Sequence, residues 1–158
     1  MSDRAVPNTP LLDFSNKKLL QPIPKNLYQL AREYFTSKEL DLLQLAHSVA
    51  NEAHKDQFRQ EGSPYITHPI AVAETLLELH LDVETVCAGL MHDVLEDSVI
   101  QKSYLEKLFG KGTLVIIDGV SNLNKLDFDS LEDRNANNLQ KMALAMSKDI
   151  RVIIVKLC

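Results

Sequence analysis

Apolar residues recur at spacings of three and four along most of this chain, and the phase of that repeat divides it into helices. Leu27, Leu30, Ala31, Tyr34 and Phe35 predict a first helix. Leu40, Leu43, Ala46, Val49, Ala50 and Ala53 predict a second, long and amphipathic, ending near Gln57, with Ser37 placed to cap it. The Gly and Pro content of residues 61–68 predicts a loop, after which Pro69 opens a helix carrying Ile70, Ala73, Leu76 and Leu77. Asp82 is placed to cap the next helix. Ser103 to Phe109 predicts a short helix stopped by Gly110 and Gly112, followed by a short apolar segment over 114–120. Residues 121–134, with Asn122, Asn124, Asp127, Asp129, Glu132 and Asp133, predict a mobile polar loop. Helical phasing returns over 135–147 through Leu139, Met142, Ala143 and Met146.

Both ends depart from this pattern. Pro7, Pro10, Pro22 and Pro24 fall within residues 1–26, where periodicity is weak, so an N-terminal arm with little order is expected there. Residues 27–158 are expected to form one domain. At the other end, Ile150 to Cys158 is β-branched enough for a strand. No other segment offers it a partner, and a lone strand cannot satisfy its backbone groups, so a buried helix is expected instead. The fold class is therefore all-α. The chain stops inside this apolar element with no cap and no polar ending, as a fragment of a longer chain would.

The chemistry lies in Leu90-Met91-His92-Asp93-Val94-Leu95-Glu96-Asp97. On one continuous helix His92, Asp93, Glu96 and Asp97 would share about 140° of arc, with 92/96 and 93/97 one turn apart. Val83, Val86, Cys87, Leu90, Met91, Val94 and Leu95 cover most of the remaining surface. Acids at helical spacing usually form a solvated face, but on a helix this apolar they are costly to bury without a cation. An imidazole beside a carboxylate suits a divalent transition metal, and the two further acids suit proton transfer to or from water. Ala88 and Gly89, one turn earlier, are expected to leave open space beside the acids.

Composition narrows the possibilities. A net charge of −5 without any basic run argues against DNA or other nucleic acid as a partner. No apolar stretch is long enough to span a membrane, and the N-terminus lacks a signal pattern. Cys87 and Cys158 make neither a disulfide framework nor a metal knuckle, which fits a reducing cytoplasm. Among the histidines, His68 stands at a loop-to-helix junction and is the best second imidazole for a metal. His54 ends the long helix and is expected to be structural, hydrogen-bonding near the site, with metal ligation as the lesser alternative. His47 and His80 look like surface or helix-end residues. Arg59, beside the loop that delivers His68, suits a phosphate or a stacked base.

Phe58-Arg59-Gln60-Glu61-Gly62-Ser63-Pro64-Tyr65-Ile66-Thr67-His68-Pro69 resembles the R-x-x-G-x-P-Y-I-x-H-P signature of the Rel/SpoT family of bifunctional alarmone enzymes. His92-Asp93-Val94-Leu95-Glu96-Asp97 resembles that family's HDxxED. Leu108-Phe109-Gly110, Gly119-Val120-Ser121 and residues 145–153 also match, so the resemblance runs from about residue 38 to the last. It is closest to the hydrolase-competent SpoT branch.

The resemblance implies an all-α domain of the HD superfamily that binds one Mn²⁺ and removes the 3′-pyrophosphate of (p)ppGpp, a guanine nucleotide alarmone. Through it, His68, His92 and Asp93 are implied as metal ligands, and Glu96 and Asp97 as the acids that activate and orient water. Arg59 is implied as the nucleotide contact, stacking on the base. Regulatory or ribosome-associated partners would act through C-terminal domains outside this sequence.

Three departures from the family pattern bear on activity. Asp56 stands where the family often has Gly, and Gln60 and Asn122 where it often has Lys. The family continues KLADRxHN where this sequence ends Lys156-Leu157-Cys158, so the Asp implied as fourth ligand would come next. The expectation is a chain of weak or no activity from a hydrolase parent. The alternative is a non-catalytic helical remnant that binds nucleotide or a partner and regulates.

Overall fold

The computed structural model describes Phe14 and residues 19–125, 138–141, 143, 144, 146 and 148–158. They form helices α1 (Lys25–Ala31), α2 (Ser37–Ala53), α3 (Thr67–Glu78), α4 (Val83–Met91), α5 (Val94–Asp97), α6 (Lys102–Asn124) and α7 (Arg151–Leu157). The described positions between 138 and 148 are also helical. No strand occurs among the described residues, and an isolated bridge between Phe58 and Pro64 ties the loop before α3. The all-α expectation holds, including a helix over the β-branched run at the end.

The most apolar helix takes the centre. Thr85 to Met91 of α4 are all buried, and α2, α3, α6 and α7 pack around them. Leu43, Leu76, Leu77, Leu90, Met91, Ile116 and Ile117 form the inaccessible middle of this core. Burying a side chain of that size contributes about 1.5–3 kcal/mol, and the core collects many such residues against the ordering cost of short helices with few caps. Two caps are well built. Thr36, one residue before the predicted Ser37, makes a capping box with Glu39, and Asp82 accepts from the Thr85 amide and hydroxyl.

Glycines behave differently from their reading as helix stops. Gly110 has φ 83° and breaks α6, but the helix resumes at once and carries Gly112 inside it. Gly89 leaves no open space. A Cβ there would stand 2.5 Å from Leu76 Cδ1 and 3.3 Å from Val72 Cγ1, so the missing side chain lets α3 and α4 close on each other.

Residues 1–13 and 15–18 of the expected arm lie outside the described residues, as do 126–134 of the expected loop. Phe14 is buried, Leu20 and Ile23 pack on the core, and the Gln21 amide donates to Ser48 Oγ. Residues 121–124 belong to α6 rather than to a loop.

Arg151 holds the last helix down. Its guanidinium bonds Asp149, Asp82 and Glu84 at 2.7–3.0 Å, joining the start of α7 to the start of α4. Charged hydrogen bonds contribute about 1.5–3 kcal/mol, reduced here by partial exposure. Arg151→Ala is expected to lower the melting temperature by roughly 3–6 °C, measured by circular dichroism. An unchanged transition would show that the clamp is idle.

Candidate metal centre

The helix carrying His92 and Asp93 does not run on through Glu96 and Asp97. It ends at Met91, and Asp93 has φ −97° and ψ −6°, in the sparsely populated bridge region where active-site residues often sit. Part of the cause is local, because the His92 ring takes the Gly89 carbonyl at 2.7 Å from Nδ1. A carbonyl can only accept, so Nδ1 carries the proton and Nε2 is the free ligand atom. The break separates the dyad from the acids that follow it.

His68, His92 and Asp93 converge. Their donor atoms all lie within 4.8 Å of one another. Asp93 Oδ2 stands 3.1 Å from His92 Nε2 and 4.0 Å from His68 Nε2. Around an ion with bonds of about 2.1 Å, neighbouring donors stand roughly 3 Å apart and opposite ones roughly 4.2 Å apart. Two imidazoles and a carboxylate could hold one divalent metal once the widest pair draws in slightly around it. Glu96 and Asp97 are not in this group; they are exposed on α5, one turn away.

Tyr65 completes the centre. Its hydroxyl donates to Asp93 Oδ2 at 2.6 Å, fixing the carboxylate from the side of the α3 loop. Burial opposes the charge on Asp93, but the bonds from His92 and Tyr65 prevail and hold its carboxyl at about 2. His68 is lowered, by burial first and by His92 next, which keeps its ring neutral for ligation. His92 is raised: burial opposes this, but Asp93 favours a proton on Nε2, the place a cation would take. Although Asp97 is largely exposed, partial desolvation of its carboxyl against the protein, and then Asp93, raise it and make it a stronger base than an ordinary carboxylate.

Loss of an orienting partner of this kind typically costs about 10–100-fold in metal affinity or activity. Tyr65→Phe is expected to weaken divalent-metal affinity by about tenfold. Titration calorimetry measures it, and an affinity equal to wild type would remove Tyr65 from the centre.

Two cavities meet at His68. One, of about 390 Å³, is lined by Phe58, Arg59, Gln60, Glu61, Tyr65 and His68. Its wall offers an aromatic ring, Phe58, that is 65 % exposed, and a guanidinium paired with Glu61 at 3.2 Å. The other, of about 300 Å³, lies between the His68–His92–Asp93 group and Asn124, Lys156 and Cys158. There Lys156 Nζ donates to Asn124 Oδ1, and Asn124 donates to Glu96 at 3.1 Å.

A model of the HD domain matches residues 46–158. The chain belongs to the HD domain family. Its curated relatives include the guanosine-3′,5′-bis(diphosphate) 3′-pyrophosphohydrolase of Vibrio cholerae, 46 % identical over 132 residues, or 84 % of this chain. The bifunctional (p)ppGpp synthase/hydrolase SpoT of Escherichia coli K12 is 45 % identical over 133 residues, also 84 % of the chain. A GTP pyrophosphokinase of Myxococcus xanthus is 39 % identical over 128 residues, 79 % of the chain. The chain spans about a fifth of the length of these relatives, 19 %, 19 % and 17 % respectively. His92-Asp93, at the break between α4 and α5, lies within the matched residues.

Tyr65, Phe58, Asn124 and Lys156 line the site without any mark in the apolar pattern or residue spacing. His47, expected at the surface or a helix end, is instead buried at 6 % exposure on α2. The signal was available: Leu43, His47, Ala50 and His54 follow one helical stripe with a core residue at every other step.

Proposed function

We propose that this HD domain hydrolyses the 3′-pyrophosphate of (p)ppGpp, releasing pyrophosphate and GDP or GTP, with Mn²⁺ as its ion. The observation that carries the proposal is the convergence of His68, His92 and Asp93 between the two cavities, with Asp97 raised one turn away. Relatives named for this reaction, 45–46 % identical across the domain, supply the substrate.

A divalent ion held by the three residues would shield phosphate charge and make water a better nucleophile. The protein's own groups do the rest. Arg59 and Phe58 take the guanine base in the larger cavity, Arg59 across its face. Lys156 faces the phosphates from the other side of His68. Asp97 accepts the proton of the attacking water, and Glu96, held by Asn124, orients that water. Water oxygen bonds to the phosphorus on the 3′ oxygen, the bond from that oxygen to phosphorus breaks, and the 3′ oxygen takes a proton. The proposed compartment is the cytoplasm, where guanine nucleotides occur and free thiols persist. No described helix is long and apolar enough to cross a membrane.

The test is a ppGpp hydrolysis assay with Mn²⁺, with and without chelator. Metal-dependent release of pyrophosphate supports the proposal; release indifferent to chelator sinks it. A second reading is a non-catalytic helical module that binds nucleotide or a partner. Tight nucleotide and metal binding without turnover would favour it.

A further inference from the structure

A four-residue helix cannot hold itself, because nucleating a single turn costs more than its few hydrogen bonds return. Yet α5 carries the acid proposed to move the proton, so something outside it must fix its place. The C-terminal end of α5 is met by Gln57, whose Nε2 donates to the Asp97 main-chain carbonyl at 2.9 Å. Gln57 Oε1 in turn faces His54 Nδ1 at 2.9 Å. The direction of this chain is forced. The carbonyl must accept, so the amide NH₂ points at it; the amide oxygen must then accept, so His54 Nδ1 carries a proton.

The His54–Gln57 side of the bridge is anchored. The Gln57 backbone is bonded on each side, its amide to the His54 carbonyl and its carbonyl to the Tyr65 amide. His54 is 2 % exposed, and its ring lies on that of Tyr65 with centroids 4.6 Å apart. His54 Nε2 is buried with no partner, an unfavourable position that a purely apolar side chain would avoid. What the imidazole supplies in exchange is the bond to Gln57. Through Tyr65 the same ring stack reaches Asp93, so one connected group links a proposed metal ligand to the proposed base.

We propose that Gln57, braced by His54, is a positioning residue that fixes the Asp97 turn relative to the metal centre. It touches neither substrate nor ion. Its part in turnover rests on the hydrolase reading above, whereas the tether itself does not.

The experiment compares the Mn²⁺-loaded wild type with Gln57→Leu, which keeps the volume and removes both amide bonds. Gln57→Glu is the second variant; it can still accept from His54 but cannot donate to the Asp97 carbonyl. Amide hydrogen exchange over 94–98 is expected to quicken by about tenfold in both, with α2 and α4 unchanged. For ppGpp hydrolysis, kcat is expected to fall by about tenfold or more while KM and Mn²⁺ affinity stay within about twofold. Unchanged exchange overturns the proposal, as does faster exchange with undiminished kcat. A joint loss of kcat, KM and metal affinity also overturns it, because that is general unfolding. If the wild type itself fails to turn over, the hydrolase reading fails, and the exchange measurement alone decides the tether.

Discussion

Asp93→Asn is expected to weaken divalent-metal binding by at least about 100-fold and to lower hydrolysis in proportion. Asp93 Oδ2 is where the Tyr65 hydroxyl, His92 Nε2 and His68 Nε2 meet, at 2.6, 3.1 and 4.0 Å. With its carboxyl held at about 2, this side chain is a full anion at every working pH, and no titration softens the loss. The amide fits the same space and can still accept from Tyr65, so the fold should survive. With its oxygen kept at the Oδ2 position for Tyr65, the amide is a neutral and weaker donor, and the negative charge that draws a cation into the group is gone. Calorimetric titration with Mn²⁺, beside a circular-dichroism spectrum matching wild type, measures this. An affinity within about threefold of wild type would mean the ion binds elsewhere.

The second large effect falls on turnover alone. Asp97→Asn is expected to lower kcat by about 10²–10⁴-fold, the range typical of losing a general base, while metal and nucleotide affinities change little. The pH dependence follows from the sign of the shift. Burial and Asp93 raise the Asp97 carboxyl above the usual carboxylate value, so the active, ionised form is lost early as pH falls. A bound divalent cation would offset the Asp93 contribution, so the upward shift belongs to the metal-free protein, where an NMR titration should find the Asp97 carboxyl above the ordinary carboxylate value. The same shift means the fold disfavours the charged form: above both pKa values this carboxylate opposes folding, and below them it does not. Asp97→Asn should therefore melt slightly above wild type at neutral pH. A variant retaining more than about a tenth of wild-type kcat would take the proton-accepting role from Asp97.

The sequence carried the helices well, because their apolar periods are long and the core simply collects them. The terminal run Ile150–Cys158 shows why propensity had to yield. With no described strand to pair with, helix was the conformation that satisfied the backbone. The break at His92-Asp93 was not legible, since no glycine or proline marks it; it accompanies a side chain turning back on the Gly89 carbonyl. Adjacent His and Asp could be read as metal chemistry, but their separation from Glu96 and Asp97 could not. Glycine misled for a related reason. Gly112 reads as a stop, whereas it lies inside α6, facing the carboxylate end of Glu84. Tyr65 and Gln57 sit in loops, where periodicity says nothing and only tertiary approach gives them roles.

Gly89 joins two properties that are usually tuned apart. Its lone hydrogen sets how near α3, bearing His68, comes to α4, and its carbonyl sets which nitrogen His92 presents. The gap between two imidazoles is thus governed by a buried interhelical spacing, with Leu76 as the opposing surface. A larger residue at this interior position would press on Leu76 and Val72 across the closed interface, so the packing of the core and the spacing of the two imidazoles would shift together.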